Sequence, residues 1–115
     1  MEEKKTLIIY CRFNEKVSYR VPLGIAYLGS VLIKNKLPVV LRDGAFYLNW
    51  ECFRKDLLKI KPKYVGLSTS SFLMHNVTEY AKQIKKVLPD SKIIMGGPHV
   101  SALGKKALDD KNIDF

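Results

Sequence analysis

Small polar residues and glycines follow two short apolar stretches of this chain. Ile93–Met95 stops at Gly96-Gly97-Pro98-His99, and Tyr64–Leu67 stops at the hydroxyl run Ser68-Thr69-Ser70-Ser71. Glycine leaves bare backbone that a bulky group can approach, and hydroxyls offer hydrogen bonds to amides or to a phosphate. The pattern therefore predicts a surface for a large polar ligand. A tight turn and the capping of helices remain alternative explanations of the same residues.

Strand and helix signals alternate along the chain. Short apolar runs predict strands at Thr6–Tyr10, Val39–Asp43, Tyr64–Ser68 and Ile93–Met95, with the start of a fifth at Ile113–Phe115. Apolar stripes and capping residues predict helices from Pro22 to about Lys36, from Trp50 to about Ile60 with Asn49 as cap, from Val77 to about Leu88 with Asn76 as cap, and from Ser101 to about Asp110. In the first helix, Ile25, Leu28, Gly29, Leu32 and Ile33 are expected to face the core.

This alternation predicts an α/β fold: one Rossmann-like, flavodoxin-like open parallel sheet in the order 2-1-3-4-5, with helices on both faces. The fifth strand is cut off as it begins, so residues 1–115 are expected to form the N-terminal domain of a longer protein. Strand 4 would then be an exposed edge through which the isolated domain self-associates.

Composition limits the classes of function. The chain has 115 residues, enough for one core, and no apolar run is long enough to span a membrane. The net charge is +9, which suits nucleic acid or an anionic ligand, but the lysines fall mostly on polar helix faces and favour a solvated surface. Cys11 and Cys52 lie far apart and outside any motif, which predicts free thiols and a cytoplasmic protein.

Three segments are expected at the carboxyl edge of the sheet, where ligands bind in such folds. They are the long connection Cys11–Val21, the hydroxyl run after strand 3, and Gly96–His99. Asp43 ends strand 2 and either binds ligand or anchors the next turn, and His99 is expected to pack at a surface turn. Common metal, nucleotide and redox motifs are missing, so we assign no catalytic or metal-binding residue.

The segments Pro22-LGIAYLGSVL-Ile33, Val39-VLRD-Asp43, Pro62-KYVGLSTSS-Ser71 and Ile93-IMGGPHVS-Ser101 resemble the cobalamin (B12)-binding domain that precedes the radical SAM domain in many enzymes. The resemblance covers nearly the whole chain. It implies that Ser68 meets the nucleotide tail of the cofactor, that Gly96 and Gly97 let the tail pass, and that Pro22, Leu23 and Gly24 lie beneath the corrin. The expected cofactor-binding residues are Pro22, Leu23, Gly24, Asp43, Ser68, Thr69, Ser70, Gly96, Gly97 and Pro98.

One departure from the related methionine synthase type of domain concerns the cobalt. There a DxHxxG motif supplies a histidine below the metal, and its glycine aligns with Gly24. Tyr19 and Val21 stand in the places of the aspartate and the histidine. The resemblance therefore implies cobalamin bound without an axial imidazole from this loop.

The resemblance also implies partners. A C-terminal radical SAM domain in cis would hold the 4Fe-4S cluster and S-adenosylmethionine, so this part is not expected to be catalytic alone. The whole protein would be of the methyltransferase or the cyclase type. Two alternatives stay open: a degenerate domain that positions substrate or docks without binding cobalamin, and a basic nucleic-acid-binding domain.

Overall fold

Four parallel strands form one sheet. The computed structural model describes residues 5–12, 23–68, 74–96 and 111–115, with backbone alone at 23–25 and 74–75. The strands are β1 (Thr6–Tyr10), β2 (Val39–Asp43), β3 (Tyr64–Ser68) and β4 (Lys92–Gly96). Their order is β2-β1-β3-β4, and every neighbouring pair is parallel. The flavodoxin-like order predicted for these strands is confirmed.

Helices cover both faces of the sheet, as predicted. They are α1 (Leu23–Lys34), α2 (Trp50–Ile60) and α3 (Met74–Val87). Side chains alternate between the faces of a strand, so Leu7 and Ile9 lie on one face and Ile8 on the other. Leu7 and Ile9 join the buried cluster that α2 and α3 cover, whereas α1 packs over β2 and β1 on the opposite face. No helix within the described ranges is long and apolar enough to cross a bilayer.

Aromatic rings join α2 to α3 in the core. The Tyr80 ring packs edge-on against Phe53 and Trp50, with 4.8 Å between ring centroids in both pairs. Phe53 also meets Tyr47 at 5.2 Å. Such edge-to-face pairs contribute about 0.5–1.5 kcal/mol each beyond the area that they bury. They fix α3 relative to the segment that follows β2.

Two helix starts test the capping predictions. Asn49 caps α2 as expected, because its Oδ1 accepts a hydrogen bond from the Cys52 N–H at 2.9 Å. The prediction that Asn76 caps the next helix is wrong, since α3 begins at Met74 and contains Asn76. The Asn76 amide instead donates to the Cys11 carbonyl at 3.2 Å. A contact with the end of β1 has taken the place of a local cap.

Helix α1 is shorter than predicted and is turned differently. It ends at Lys34, and Lys36 follows with a left-handed φ of 59°. The Leu37 N–H then donates to the Leu32 carbonyl, as in a Schellman motif. The prediction that Leu28 and Ile33 face the core is wrong, because both side chains are exposed.

Gly29 faces the sheet in α1 instead. It lies so close to β2 that an added Cβ would meet the Leu41 side chain at 2.7 Å. Glycine at this position lets the helix approach the strand closely.

The outer edge of β4 carries the segment Ile113–Phe115. The Phe115 N–H donates to the Ile93 carbonyl at 3.1 Å, and the Phe115 carbonyl accepts from the Met95 N–H at 2.9 Å. This reciprocal pair is the arrangement of a parallel ladder. These residues do not form a regular strand in the structure, so a fifth strand remains a prediction. Self-association through β4 also remains a prediction. The helix predicted for 101–110 lies outside the described residues.

Asp114 makes this attachment dependent on pH. Hydrogen bonds from Lys85 Nζ at 2.8 Å and from the Ile93 N–H at 2.9 Å lower the pKa of its carboxyl. A carboxyl with a lowered folded-state pKa stabilises the fold above its unfolded pKa of about 3.9, and the contribution is lost as the pH falls through the lowered value. We therefore expect the hydrogen-exchange protection of the Phe115 amide to decrease as the pH falls from about 3.9 through the lowered pKa of Asp114. In Asp114→Asn the protection should be lower at neutral pH and should lack this step; an identical step in both proteins would contradict the prediction.

Candidate functional site at the carboxyl edge of the sheet

The four strands end in a single row. Tyr10 is paired with Asp43 on one side and with Ser68 on the other, and Ser68 is paired with Gly96. Neighbouring strands lie about 4.8 Å apart, so the row from Asp43 to Gly96 spans roughly 14 Å. The structure thus brings three of the predicted cofactor-binding residues, Asp43, Ser68 and Gly96, to one edge.

The other predicted site residues lie partly or wholly outside the description. The backbones of Leu23 and Gly24 form the first residues of α1. Five predicted cofactor-binding residues fall outside the described residues: Pro22, Thr69, Ser70, Gly97 and Pro98. His99 also lies outside them. Their roles stay predictions.

Ser68 and Gly96 leave polar groups and space available at adjacent strand ends. The Ser68 carbonyl accepts from the Cys11 N–H at 3.1 Å, while among the described residues no group hydrogen-bonds its half-buried hydroxyl. A Cβ added to Gly96 would meet no atom within 4 Å. The open space at Gly96 lies beside the Ser68 hydroxyl, so this corner of the edge can accept a ligand group.

Helix α3 holds β1 where it leaves the sheet. Tyr80 donates its hydroxyl to the Arg12 carbonyl at 2.7 Å, beside the bond from Asn76 to the Cys11 carbonyl. Buried backbone carbonyls need such partners once the ladder has ended. Sequence reasoning missed both roles, because Tyr80 was only one residue of the helix predicted from Val77 to about Leu88 and Asn76 was expected only as its cap.

Arg12 and Asp43 join the ends of β1 and β2. Arg12 Nε lies 3.3 Å from Asp43 Oδ1, and its Nη2 lies 2.5 Å from Oδ2. Asp43 Oδ1 also accepts from the Ala45 N–H at 3.0 Å, and the guanidinium lies over the Tyr10 ring. Asp43 therefore anchors the turn that follows it, and its contact with a ligand stays a prediction. Opposite charges at the ends of two strands predicted to be neighbours were the sequence signal for this pair.

The turn after β2, Gly44–Phe46, is fastened on both sides. The Tyr47 N–H donates to the Gly44 carbonyl at 3.1 Å. The Tyr47 hydroxyl donates to Asp56 on α2 at 2.5 Å, and Arg42 Nε donates to the same carboxylate at 3.0 Å. Burial first, and then the Asp56 carboxylate, raise the pKa of Tyr47, so that its hydroxyl keeps the proton that it donates.

Neither described thiol is prepared for chemistry at this edge. Cys11 is fully buried, and burial raises the pKa of its thiol far above the usual range, so it stays protonated. Its Sγ lies 3.7 Å from the Ile9 carbonyl. Cys52 is exposed in the first turn of α2, and among the described residues no hydrogen bond or ion pair involves its thiol. The described part of the chain contains no group of three potential metal ligands.

A four-stranded parallel sheet in the order β2-β1-β3-β4, with helices on both faces, defines a domain of the flavodoxin-like class. Comparison with known proteins narrows this class. A family model described as "B12 binding domain" matches residues 17–115. The chain belongs to the B12-binding domain family.

Two longer proteins are similar to the chain. It is 33% identical over 81 residues to the uncharacterized methyltransferase PH0819 of Pyrococcus horikoshii. This match covers 70% of this chain and 17% of that protein. The fold matches the radical S-adenosylmethionine methyltransferase TsrM of Kitasatospora setae, solved with cobalamin and a [4Fe-4S] cluster bound, with a TM-score of 0.77 and 17% identity. That match covers 92% of this chain and 22% of TsrM. The chain thus spans about a fifth of the length of the proteins that it matches.

The Arg12–Asp43 pair should contribute strongly to stability. In Asp43→Asn, Arg12, a residue that is only 8% exposed, loses the carboxylate that its guanidinium contacts, and we expect the free energy of unfolding to fall by about 2–4 kcal/mol. The matched control is Glu51→Gln, which removes the exposed pair with Lys55 at 3.5 Å and should cost less than about 0.5 kcal/mol. Urea unfolding of both variants checks this, and equal small losses would contradict it.

Gly44 should tolerate no side chain. A Cβ there would overlap the Arg12 carbonyl and the Tyr80 hydroxyl, so Gly44→Ala should break their hydrogen bond and destabilise the fold by about 2–4 kcal/mol. The control is Gly66→Ala on β3, whose Cβ would meet the Ile8 side chain at an ordinary 3.7 Å. Chemical unfolding should separate the two variants clearly; a Gly44→Ala protein as stable as Gly66→Ala would refute the close packing.

Proposed function

We propose that this chain binds cobalamin at the carboxyl edge of its sheet. The observation that carries the proposal is the pairing of Ser68 and Gly96 at adjacent strand ends, with a hydroxyl that no described residue hydrogen-bonds and open space beside bare backbone. Membership of the B12-binding domain family supports the choice of ligand. The nucleotide tail would pass Ser68 and Gly96, with Thr69, Ser70, Gly97 and Pro98 beside it, and the corrin would lie above Pro22, Leu23 and Gly24.

The residues of the chain would bind and orient the cofactor. Ser68 would hydrogen-bond a polar group of the tail, since its hydroxyl is half-buried at the strand end. Gly96 would allow the closest approach to the sheet, because nothing occupies the place of its side chain. Asp43 and Arg12 would keep the end of β2 in line with these two strands.

The cobalt would receive no imidazole from the loop before α1. Tyr19 and Val21 stand where the related motif has aspartate and histidine. When bound, the corrinoid supplies a cobalt centre that can carry a one-carbon group. An apolar environment below it, provided by Pro22 and Leu23, would leave that face without a strong protein donor and would influence its reactivity.

We further propose that the chain works beside a radical SAM domain of the same polypeptide. TsrM, which has the same fold in about a fifth of its length, is a radical S-adenosylmethionine methyltransferase, and PH0819 is named a methyltransferase. These two names favour a methyl transfer over a cyclisation. The 4Fe-4S cluster and S-adenosylmethionine would belong to that other domain. A cytoplasmic location remains our prediction, consistent with the two free thiols.

Gly96 offers a test that separates binding from folding. Because a Cβ there meets no atom within 4 Å, Gly96→Val should leave the urea midpoint unchanged yet fill the space proposed for the tail. We expect the affinity of the full-length protein for hydroxocobalamin to fall about tenfold or more. The reason is that forcing a side chain into closely packed space costs about 1–3 kcal/mol. Gly66→Ala, away from the strand ends, should bind as the wild type does.

Two outcomes of the titration would count against the proposal. Equal affinities of the wild type and Gly96→Val would remove Gly96 from the site. A wild-type protein that neither retains a corrinoid nor shifts the hydroxocobalamin spectrum would favour the degenerate domain that docks or positions substrate. The nucleic-acid hypothesis rests on the net charge of +9 alone.

A further inference from the structure

Two large apolar side chains stand in solvent just after β2. Phe46 is 73% exposed and Leu48 is 71% exposed, on either side of the buried Tyr47. Single exposed apolar residues are common on protein surfaces and need no explanation by themselves. This pair differs because it belongs to the carboxyl edge of the sheet, directly after the row of strand ends that contains Asp43.

The segment that carries the pair is fixed at several points. Asp43 holds the Ala45 N–H, the Gly44 carbonyl holds the Tyr47 N–H, and Asp56 holds the Tyr47 hydroxyl. Gly44 is enclosed by the Arg12 carbonyl and the Tyr80 hydroxyl. A surface that is already ordered loses little conformational entropy when it contacts a ligand. The exposed side chains are therefore carried by a preorganised backbone.

The position of the segment identifies the part of the ligand that it can reach. Gly44 abuts the backbone of Arg12, at the start of the connection that leads from β1 toward Pro22–Gly24, which the proposed site puts beneath the corrin. Ser68 and Gly96, which would take the nucleotide tail, lie on β3 and β4, toward the opposite side of the sheet. A cofactor with its tail over β3 and β4 and its ring above the start of α1, as proposed, would extend its ring toward β1 and β2.

We propose that Phe46 and Leu48 form an apolar rim that contacts the corrin ring of the cofactor. The proposal rests on the proposed function, and it assigns to the turn after β2 a part in holding the ring rather than the tail. The methyl-bearing periphery of a corrin offers apolar surface, and its burial against an aromatic and an aliphatic side chain is favourable. The polar amides of the ring would stay at the solvent side.

The experiment compares two corrinoids and two double variants in the full-length protein. Hydroxocobalamin has the nucleotide tail, and hydroxocobinamide lacks it while keeping the ring. Phe46→Ser/Leu48→Ser removes the rim. The matched control is Leu37→Ser/Leu58→Ser, which removes two other exposed leucines: Leu37 precedes β2 and Leu58 lies near the end of α2, both toward the opposite edge of the sheet.

We expect the rim variant to bind both corrinoids about tenfold more weakly than the wild type, because an apolar side chain that packs against a ligand typically raises its affinity by a factor of about ten or less. The control should bind both as the wild type does. The dissociation constants can be measured from the change in the visible spectrum of each corrinoid, and the far-ultraviolet circular dichroism of each variant establishes that it is folded.

Each other outcome overturns the inference in a recognisable way. A weakening confined to hydroxocobalamin would mean that the rim contacts the tail. Unchanged affinity for both corrinoids, with or without a reduced activity of the whole protein, would mean that the rim contacts another part of the polypeptide or nothing. A wild-type protein that binds neither corrinoid would defeat the proposed function itself, and the rim with it.

Discussion

The rest of the carboxyl edge depends on how the backbone of β1 is held as it leaves the sheet. The carbonyls of Cys11 and Arg12 lie beyond the last residue of the strand, and a buried carbonyl without a partner costs about 1–3 kcal/mol. Asn76 and Tyr80, on successive turns of α3, supply the two hydrogen bonds. They fix the direction of the chain at the point where the long connection to α1 begins.

A fixed Arg12 backbone then determines the neighbouring strand end. Its guanidinium reaches Asp43 with two hydrogen bonds, and Asp43 in turn orders the following turn through Ala45. The same Arg12 carbonyl leaves no room for a side chain at Gly44. The turn after β2 is therefore shaped by β1 and α3, which are distant in sequence, as well as by its own local hydrogen bonds.

This difference explains which features the sequence could predict. The strands and α2 were predictable because short apolar runs, an apolar stripe and the Asn49 cap are local signals. The local signal at Asn76 was misleading, since a contact with Cys11 outweighs a cap. Helix α1 has apolar residues on both of its sides, so periodicity could not choose between them. The fit of Gly29 against Leu41, a property of the packed pair, decides its orientation.

Two glycines at this edge show how a structural requirement differs from a functional one. Gly44 is required by the fold, because the backbone of Arg12 and the hydroxyl of Tyr80 fill the place of its side chain. Nothing in the described structure requires glycine at Gly96, where a side chain would extend into open space. Ser68 beside it likewise has a hydroxyl that no described residue hydrogen-bonds. If cobalamin binds at this edge, as we propose, the small size of Gly96 and the polarity of Ser68 follow from the ligand and not from the fold.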